Sequence, residues 1–102
     1  MEKTIYSEEY GLLLHILRAT REVAGITQIE LASRLGTTQV NVSRYEGGQR
    51  GLDPIHLKYW CEAIGITVHD LYQELDATLA HRRLVDKASK EQSAKKRPKR
   101  DK

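Results

Sequence analysis

The chain has 102 residues, enough for one domain and a short extension, so its length excludes a multidomain enzyme. Charged residues make up 30% of it, and no uninterrupted apolar run exceeds three residues, far short of the about 20 that a membrane-spanning helix needs. The first ten residues are mostly polar and do not resemble a secretion signal. We therefore expect a soluble cytoplasmic protein with no membrane partner.

The net charge of +3 is distributed unevenly. Residues 87–102 carry eight Lys or Arg against two acidic residues, which gives this basic tail +6 and leaves −3 for residues 1–86. For the cluster at 95–100 three interpretations stay open: a nonspecific phosphate-binding arm, a solvated terminus, and, least favoured, a nuclear-import-like signal. The overall charge is thus weak support for a nucleic-acid partner.

Glycine and threonine divide the chain into segments. An apolar residue, Gly, any residue and Thr follow one another at 24–27, 35–38 and 64–67. Gly can close a helix in the left-handed conformation, and the Thr hydroxyl can cap the next helix. A further start is predicted at Asp53-Pro54, where a carboxylate cap precedes a proline at the first helical position.

These signals predict an all-α fold with no strand. The predicted helices are 8–24, 28–35, 39–46, 54–64 and 68 to about 75. Capping-box patterns at 27–30 and 67–70 strengthen two of the starts. Beyond Leu75 the composition favours helix as far as Gln92, and the residues around Pro98 are predicted to be disordered. The expected organisation is a domain at 1–75, then a helical extension and disordered basic tail at 76–102.

Apolar residues recur at helical spacing and form the predicted core. They are Leu13, Ile16, Leu17 and Thr20, then Leu31, Ala32 and Leu35, then Val42 and Tyr45, and finally Leu57, Trp60, Cys61 and Ile64. The single cysteine, Cys61, lies on the apolar stripe of its helix, and this position favours a buried structural thiol over a redox sensor. The four histidines show no metal-ligand spacing, and no catalytic constellation is present. We expect no enzyme activity, no metal and no cofactor.

The second and third helices are joined by residues 36–38 alone, a link suited to two helices that cross steeply. Such a crossing needs a small side chain at the contact, which Ala32 supplies. Val42 and Tyr45 follow as apolar anchors of the third helix. A helix-turn-helix is favoured, and generic helix packing is the alternative.

Residues 25–36 read GITQIELASRLG and residues 39–48 read QVNVSRYEGG. Together they resemble the helix-turn-helix of the phage Cro/repressor-type (XRE, lambda-repressor-like) family, and the resemblance covers residues 10–75. It implies a compact five-helix bundle. It also implies a bacterial or phage transcription regulator, commonly a repressor, that binds operator DNA as a homodimer at the nucleoid.

In this family the amino end of the second motif helix enters the major groove of double-stranded DNA. Gln39, Val40 and Arg44 are then the predicted base readers. Gln39 would pair with adenine, Arg44 with guanine, and Val40 would pack on a thymine methyl group. For Asn41 and Ser43, contact with bases, contact with phosphates and a solvated helix face all remain open.

Phosphate contacts are predicted at the starts of the two motif helices, where free amides and the positive dipole end favour anions. Thr27, Gln28 and Thr38 lie there. The resemblance assigns phosphate contact to Gln28 and Thr38, and capping alone is the alternative for the two threonines. Gln49 and Arg50 follow the third helix in a loop that should run along the same DNA backbone.

Two further expectations concern residues that do not contact DNA. The resemblance pairs Arg21 and Glu46 as a partly buried structural ion pair between the first and third helices. Leu71, Leu75 and Leu79 on the fifth helix form the candidate dimer interface.

The leading interpretation is a sequence-specific DNA-binding regulator. One alternative is an antitoxin or restriction-modification controller that meets a protein partner through helix 5 or the tail. Another is an adaptor of the same fold that does not bind DNA. The −3 charge of residues 1–86 slightly favours the adaptor, whereas the hydrogen-bonding side chains of helix 39–46 argue against it.

Overall fold

The computed structural model describes the backbone of residues 3–101 and the side chains of residues 8–88. In this part of the chain there are five helices and no strand, which confirms the predicted fold class. They are α1 Lys3–Val23, α2 Gln28–Leu35, α3 Gln39–Glu46, α4 Pro54–Ile64 and α5 Val68–Asp101. None of the described helices is both long and apolar enough to cross a membrane.

The bounds of α2, α3 and α4 agree with the prediction because each is set by a local cap. The side chains of Thr27, Thr38 and Asp53 accept hydrogen bonds from the third amide of their helices, at 3.0, 3.2 and 2.7 Å. At the other end, Gly36 and Gly65 adopt the predicted left-handed conformation, with φ of 73° and 103°. The short helices therefore begin and end where the sequence places them.

The two predicted capping boxes differ in outcome. Thr67 and Asp70 exchange both bonds, with the Thr67 amide donating to the Asp70 carboxylate at 3.2 Å and the Asp70 amide to the Thr67 hydroxyl at 2.9 Å. At the start of α2 half of the box forms. The Glu30 carboxylate instead accepts a 2.9 Å bond from Arg34, one turn further along α2. The prediction of a full box at 27–30 was wrong.

The outer helices are longer than predicted. α1 begins at Lys3, five residues before the predicted start. The fifth helix does not end near Leu75 but forms one continuous helix with the predicted extension. No Gly or Pro occurs between Leu75 and Pro98 to interrupt it. The side chains of the basic tail beyond residue 88, and with them its predicted role as an arm, lie outside the described residues.

The core lies where α1 packs against α3, α4 and α5, and where α2 packs against α3 and α4. Its most deeply buried large side chains are Leu17, Leu31, Val42, Trp60, Cys61 and Leu71. Sequence reasoning missed four buried residues, Leu12, Leu14, Ile26 and Leu71. Burial of Cys61 among apolar neighbours raises the pKa of its thiol to about 11, with the nearby Asp70 charge adding to the effect. The thiol therefore stays protonated, as expected of a structural cysteine.

The predicted dimer interface on α5 is wrong in the first of its three residues. Leu71 is 1% exposed and belongs to the core of its own chain. Leu75 and Leu79 are half-buried against the same core. Leu71 itself is therefore not available to a second subunit, whereas Leu75 and Leu79 are only partly covered.

Two glycines offer a matched test of how the backbone stabilises the fold. An alanine methyl at Gly36 or at Gly11 would meet nothing within 4 Å, so backbone conformation alone sets the effect. Gly36→Ala forces a side chain into the left-handed region and should cost about 1–2 kcal/mol of unfolding free energy. Gly11→Ala lies inside α1 and should stabilise by about 0.5–1 kcal/mol. Urea unfolding of the two variants should move the midpoint in opposite directions, and shifts of the same sign would contradict this account.

Candidate nucleic-acid interface

The turn between α2 and α3 is built by residues 32–38. The Thr37 amide donates to the Ala32 carbonyl at 2.9 Å, which closes the left-handed turn at Gly36. Ala32 is 3% exposed and Val42 is completely buried, so a small and a branched side chain fill the contact between the helices. Thr38 then caps α3. This arrangement fixes the start of α3 relative to α2.

The back of α3 is held by aromatic contacts. The ring of Tyr45 meets the rings of His56 and Trp60 edge-on, at centroid distances of 4.9 and 5.4 Å. Such edge-to-face pairs stabilise beyond their buried area by about 0.5–1.5 kcal/mol each. Together with buried Val42 they determine which face of α3 points outward.

The outward face of α3 carries four of the five predicted base readers. Gln39, Val40, Ser43 and Arg44 are exposed, and their three- and four-residue spacing places them on one side of the helix. Asn41 differs. It is half-buried, and its amide nitrogen donates to the Thr37 hydroxyl at 2.9 Å, so it secures the turn.

A continuous hydrogen-bond chain joins this surface to the interior. The side-chain Nε2 of Gln39 donates to Gln28 Oε1 at 2.7 Å, and Gln28 Nε2 donates to Glu46 Oε1 at 2.8 Å. Arg21 holds the other end, with its Nε 2.6 Å from Glu46 Oε2 and its Nη2 3.1 Å from Oε1. The Arg21 Nη1 also donates to the Ile26 carbonyl at 2.7 Å.

The Arg21–Glu46 ion pair is more buried than expected. The two side chains are 6% and 4% exposed, and each makes at least two polar contacts. The sequence predicted this pair as structural, Gln28 as a phosphate contact and Gln39 as a base reader, as three separate roles. It missed that one glutamine connects them, because Gln28 contacts residues 11 and 18 positions further along the chain.

The side chain of Gln39 keeps hydrogen-bonding capacity after this contact. One N–H is donated to Gln28, which leaves a second N–H and the amide oxygen. These are the donor and acceptor that adenine requires in the major groove. The contact to Gln28 therefore orients the group without using the atoms that would recognise a base.

The predicted phosphate-contacting groups lie on the surface around the same helix. Thr27, Thr38, Gln49 and Arg50 are exposed, and Gln28 is half-buried. In both capping threonines the hydroxyl oxygen accepts from a backbone amide, which leaves the hydroxyl hydrogen to donate. Capping and phosphate contact are thus compatible in one side chain.

Two residues that position this surface were missed from the sequence. The Tyr10 hydroxyl accepts a 2.9 Å bond from the Leu52 amide and so ties the loop that carries Arg50 to α1. No local signal links two residues 42 positions apart. His56, the aromatic partner of Tyr45, does have a local signal. It lies four residues before the buried Trp60 on α4, and this spacing places both on one face of the helix.

The cations of the surface differ in their partners. Arg18, Arg21, Arg34 and Lys58 each form an ion pair. Among the residues whose side chains are described, Arg44 and Arg50 have no carboxylate oxygen within 4 Å. The positive charge left for an anionic partner therefore includes the end of α3 and the loop that follows.

Comparison with known proteins agrees with this geometry. A protein family described as a helix-turn-helix domain matches residues 10–75. A solved structure titled as an XRE-family like protein from Pseudomonas syringae pv. tomato is 43% identical, with a TM-score of 0.70 over 74% of this chain and 93% of that one. The chain belongs to the XRE-type helix-turn-helix family.

A second solved structure is more distant in sequence. It is the clp gene regulator ClgR of Corynebacterium glutamicum, 26% identical, with a TM-score of 0.63 over 76% of this chain and 83% of that one. No curated protein gives a significant match. The family match spans the same residues as the predicted resemblance, so the prediction of an XRE-type helix-turn-helix family is confirmed. By fold and family the chain is a DNA-binding helix-turn-helix protein, a type that is generally not enzymatic.

Proposed function

We propose that this protein is a transcription regulator that represses by occupying an operator, with α3 in the major groove. The observation that carries the proposal is the outward face of α3, on which Gln39, Val40, Ser43 and Arg44 are all exposed. The major groove admits one α-helix and presents a distinct pattern for each base pair. A short helix whose polar side chains point away from the core suits that groove.

The chemistry of each side chain gives the proposed contacts. Gln39 offers one donor and one acceptor to adenine, and Arg44 offers two donors to guanine. Val40, which is 53% exposed, offers an apolar surface to a thymine methyl group. Ser43 lies between them and can donate to a base or a phosphate. Asn41 is assigned to the turn.

Phosphate contacts would fix the depth and direction of α3 in the groove. The amides at the starts of α2 and α3, with Thr27, Gln28 and Thr38, lie at the end of the motif that approaches the DNA backbone. Gln49 and Arg50 extend this line of contacts along the loop. Because residues 1–86 carry −3 overall, these local groups and the basic tail must supply the electrostatic attraction.

We further propose that the protein acts as a homodimer in the cytoplasm, on an operator with two half-sites. Family resemblance supports the dimer, and two-fold symmetry would give an inverted repeat. Leu71 is buried in the core of its own chain, so the interface would be formed by other residues. An adaptor without DNA binding is less well supported, because the outward face of α3 is neither acidic nor predominantly apolar.

Selection of the purified full chain on random-sequence duplexes tests this proposal. We expect enrichment of an inverted repeat whose half-site centres lie about 10–10.5 base pairs apart. An operator placed across a reporter promoter should then lower transcription when the protein is present. A folded protein that enriches no sequence would refute DNA recognition, and a rise in transcription would refute the repressor role alone.

A further inference from the structure

An open groove of about 440 Å³ runs between α1 and α5. Its floor is apolar and formed by Leu12, Ile16, Ile66 and Leu71. None of the residues proposed to contact DNA lines it. The volume falls in the range of about 300–1,000 Å³ that is usual for small-molecule sites.

The rim of the groove is acidic on the α5 side. Asp70 and Glu74 lie one turn apart and both line the opening. Among residues 8–88 no Lys or Arg lines it, and its other polar residues are His15, Thr20 and Thr78. The Thr20 hydroxyl already donates its hydrogen to the Ile16 carbonyl at 2.7 Å, so it does not donate to a rim carboxylate. The groove therefore combines an apolar floor with carboxylates on one edge.

We propose that this groove binds a small amphipathic amine, with its apolar body on the floor and its ammonium group beside Asp70 and Glu74. Charge complementarity selects this ligand class, because a carboxylate ligand would meet two like charges at the rim. A second copy of the chain suits the groove less well. A two-fold contact centred here would bring the acidic rims of both copies together.

The two rim carboxylates differ in what they already do. One oxygen of Asp70 accepts from the Thr67 amide and caps α5. Substitution of Asp70 would therefore disturb the helix as well as the groove. Glu74 is exposed, and replacing it with glutamine changes the charge while nearly preserving the shape. Glu74 is the residue to test, with Glu9→Gln as the matched control, since Glu9 is exposed on α1 and does not line the groove.

Titration of the full chain with 4-phenylbutylamine, followed by amide chemical shifts, tests the site. We expect saturable shifts confined to residues 12–20 and 66–78. The neutral 4-phenyl-1-butanol should bind more weakly, and 4-phenylbutyrate should show no saturation in the same range. Glu74→Gln should weaken amine binding about threefold, as for loss of one exposed ion pair, whereas Glu9→Gln should leave it unchanged.

A second variant tests the floor independently of charge. Ala19 lines the groove and is half-buried, so Ala19→Leu should fill part of the space and abolish saturation. If that variant does not fold, the Glu74→Gln comparison decides alone. Equal affinity for the amine and the carboxylate, shifts spread over the whole molecule, or the same amides shifting on simple dilution would each overturn the proposal. The last result would identify a second copy as the occupant.

Discussion

Replacing Arg21 with alanine is expected to lower the free energy of unfolding by about 3–5 kcal/mol. The Glu46 carboxylate, whose side chain is 4% exposed, would lose its ionic partner and keep only the bond from Gln28. The Ile26 carbonyl would lose the bond from the Arg21 guanidinium as well. For a domain of this size the loss corresponds to a fall in melting temperature of more than about 10 °C.

Arg18→Ala is the matched control for this prediction. It removes the same side chain from the same helix one turn earlier, but the Arg18–Glu22 pair is exposed by 60% and 53%. Its cost should be below about 0.5 kcal/mol. Thermal unfolding followed by circular dichroism measures both variants. Equal melting temperatures for the two would show that the buried pair contributes no more than the exposed one.

Removing both charges distinguishes the loss of the ion pair itself from the cost of leaving one buried charge without a partner. Arg21→Met combined with Glu46→Met leaves no charge without a counterion, so it should cost less than Arg21→Ala alone. A double variant that is less stable than the single one would contradict the view that an uncompensated Glu46 dominates the loss.

The helix bounds divide into those that the sequence predicts and those that it does not. α2, α3 and α4 are delimited by residues next to them, such as Thr38 and Gly36, and local signals are visible in sequence. The start of α1 and the length of α5 have no such signal, since residues 76–97 contain no Gly or Pro. Where capping and helix-breaking residues are absent, composition indicates a helix but not where it ends.

Buried residues were predicted correctly where a helix packs against others on one face. They were missed where a helix is covered on more than one face. α1 packs against three other helices, so Leu12 and Leu14 are buried as well as the predicted Leu13. Leu71 shows a different limit. Its spacing with Leu75 and Leu79 correctly indicates an apolar stripe, but periodicity cannot say whether the stripe packs on its own chain or on another. The structure places Leu71 in the core, with Leu75 and Leu79 partly buried against it.

The sequence identified the polar side chains of the candidate site and largely predicted which of them are exposed. It did not predict the hydrogen bonds between them. Gln39 and Gln28 each begin a helix, and the family resemblance implied a role for each. Their contact depends on the angle at which α2 and α3 cross, which the small Ala32 side chain permits. Distances between side chains on different helices are properties of the tertiary fold.

Arg44→Ala is expected to weaken binding to the selected operator by about 5- to 150-fold per half-site, the equivalent of a bidentate guanine contact of about 1–3 kcal/mol. The loss should be specific. Preference for guanine at one position of the half-site should relax, while affinity for unrelated duplex DNA should fall much less. Competition binding with operators altered one base pair at a time measures both effects.

Arg50→Ala provides the matched comparison, because it removes the same side chain from the loop beyond α3. If Arg50 contacts a phosphate, its loss should weaken binding to all sequences alike and reduce the slope of log affinity against log salt by about 1. Interchanged results, with Arg50 controlling the base preference and Arg44 the salt slope, would show that the loop, and not α3, reads the operator. Gln39→Ala should follow the pattern of Arg44 at an adenine. Gln28→Ala should also broaden that adenine preference, because it frees the Gln39 amide from the bond that orients it.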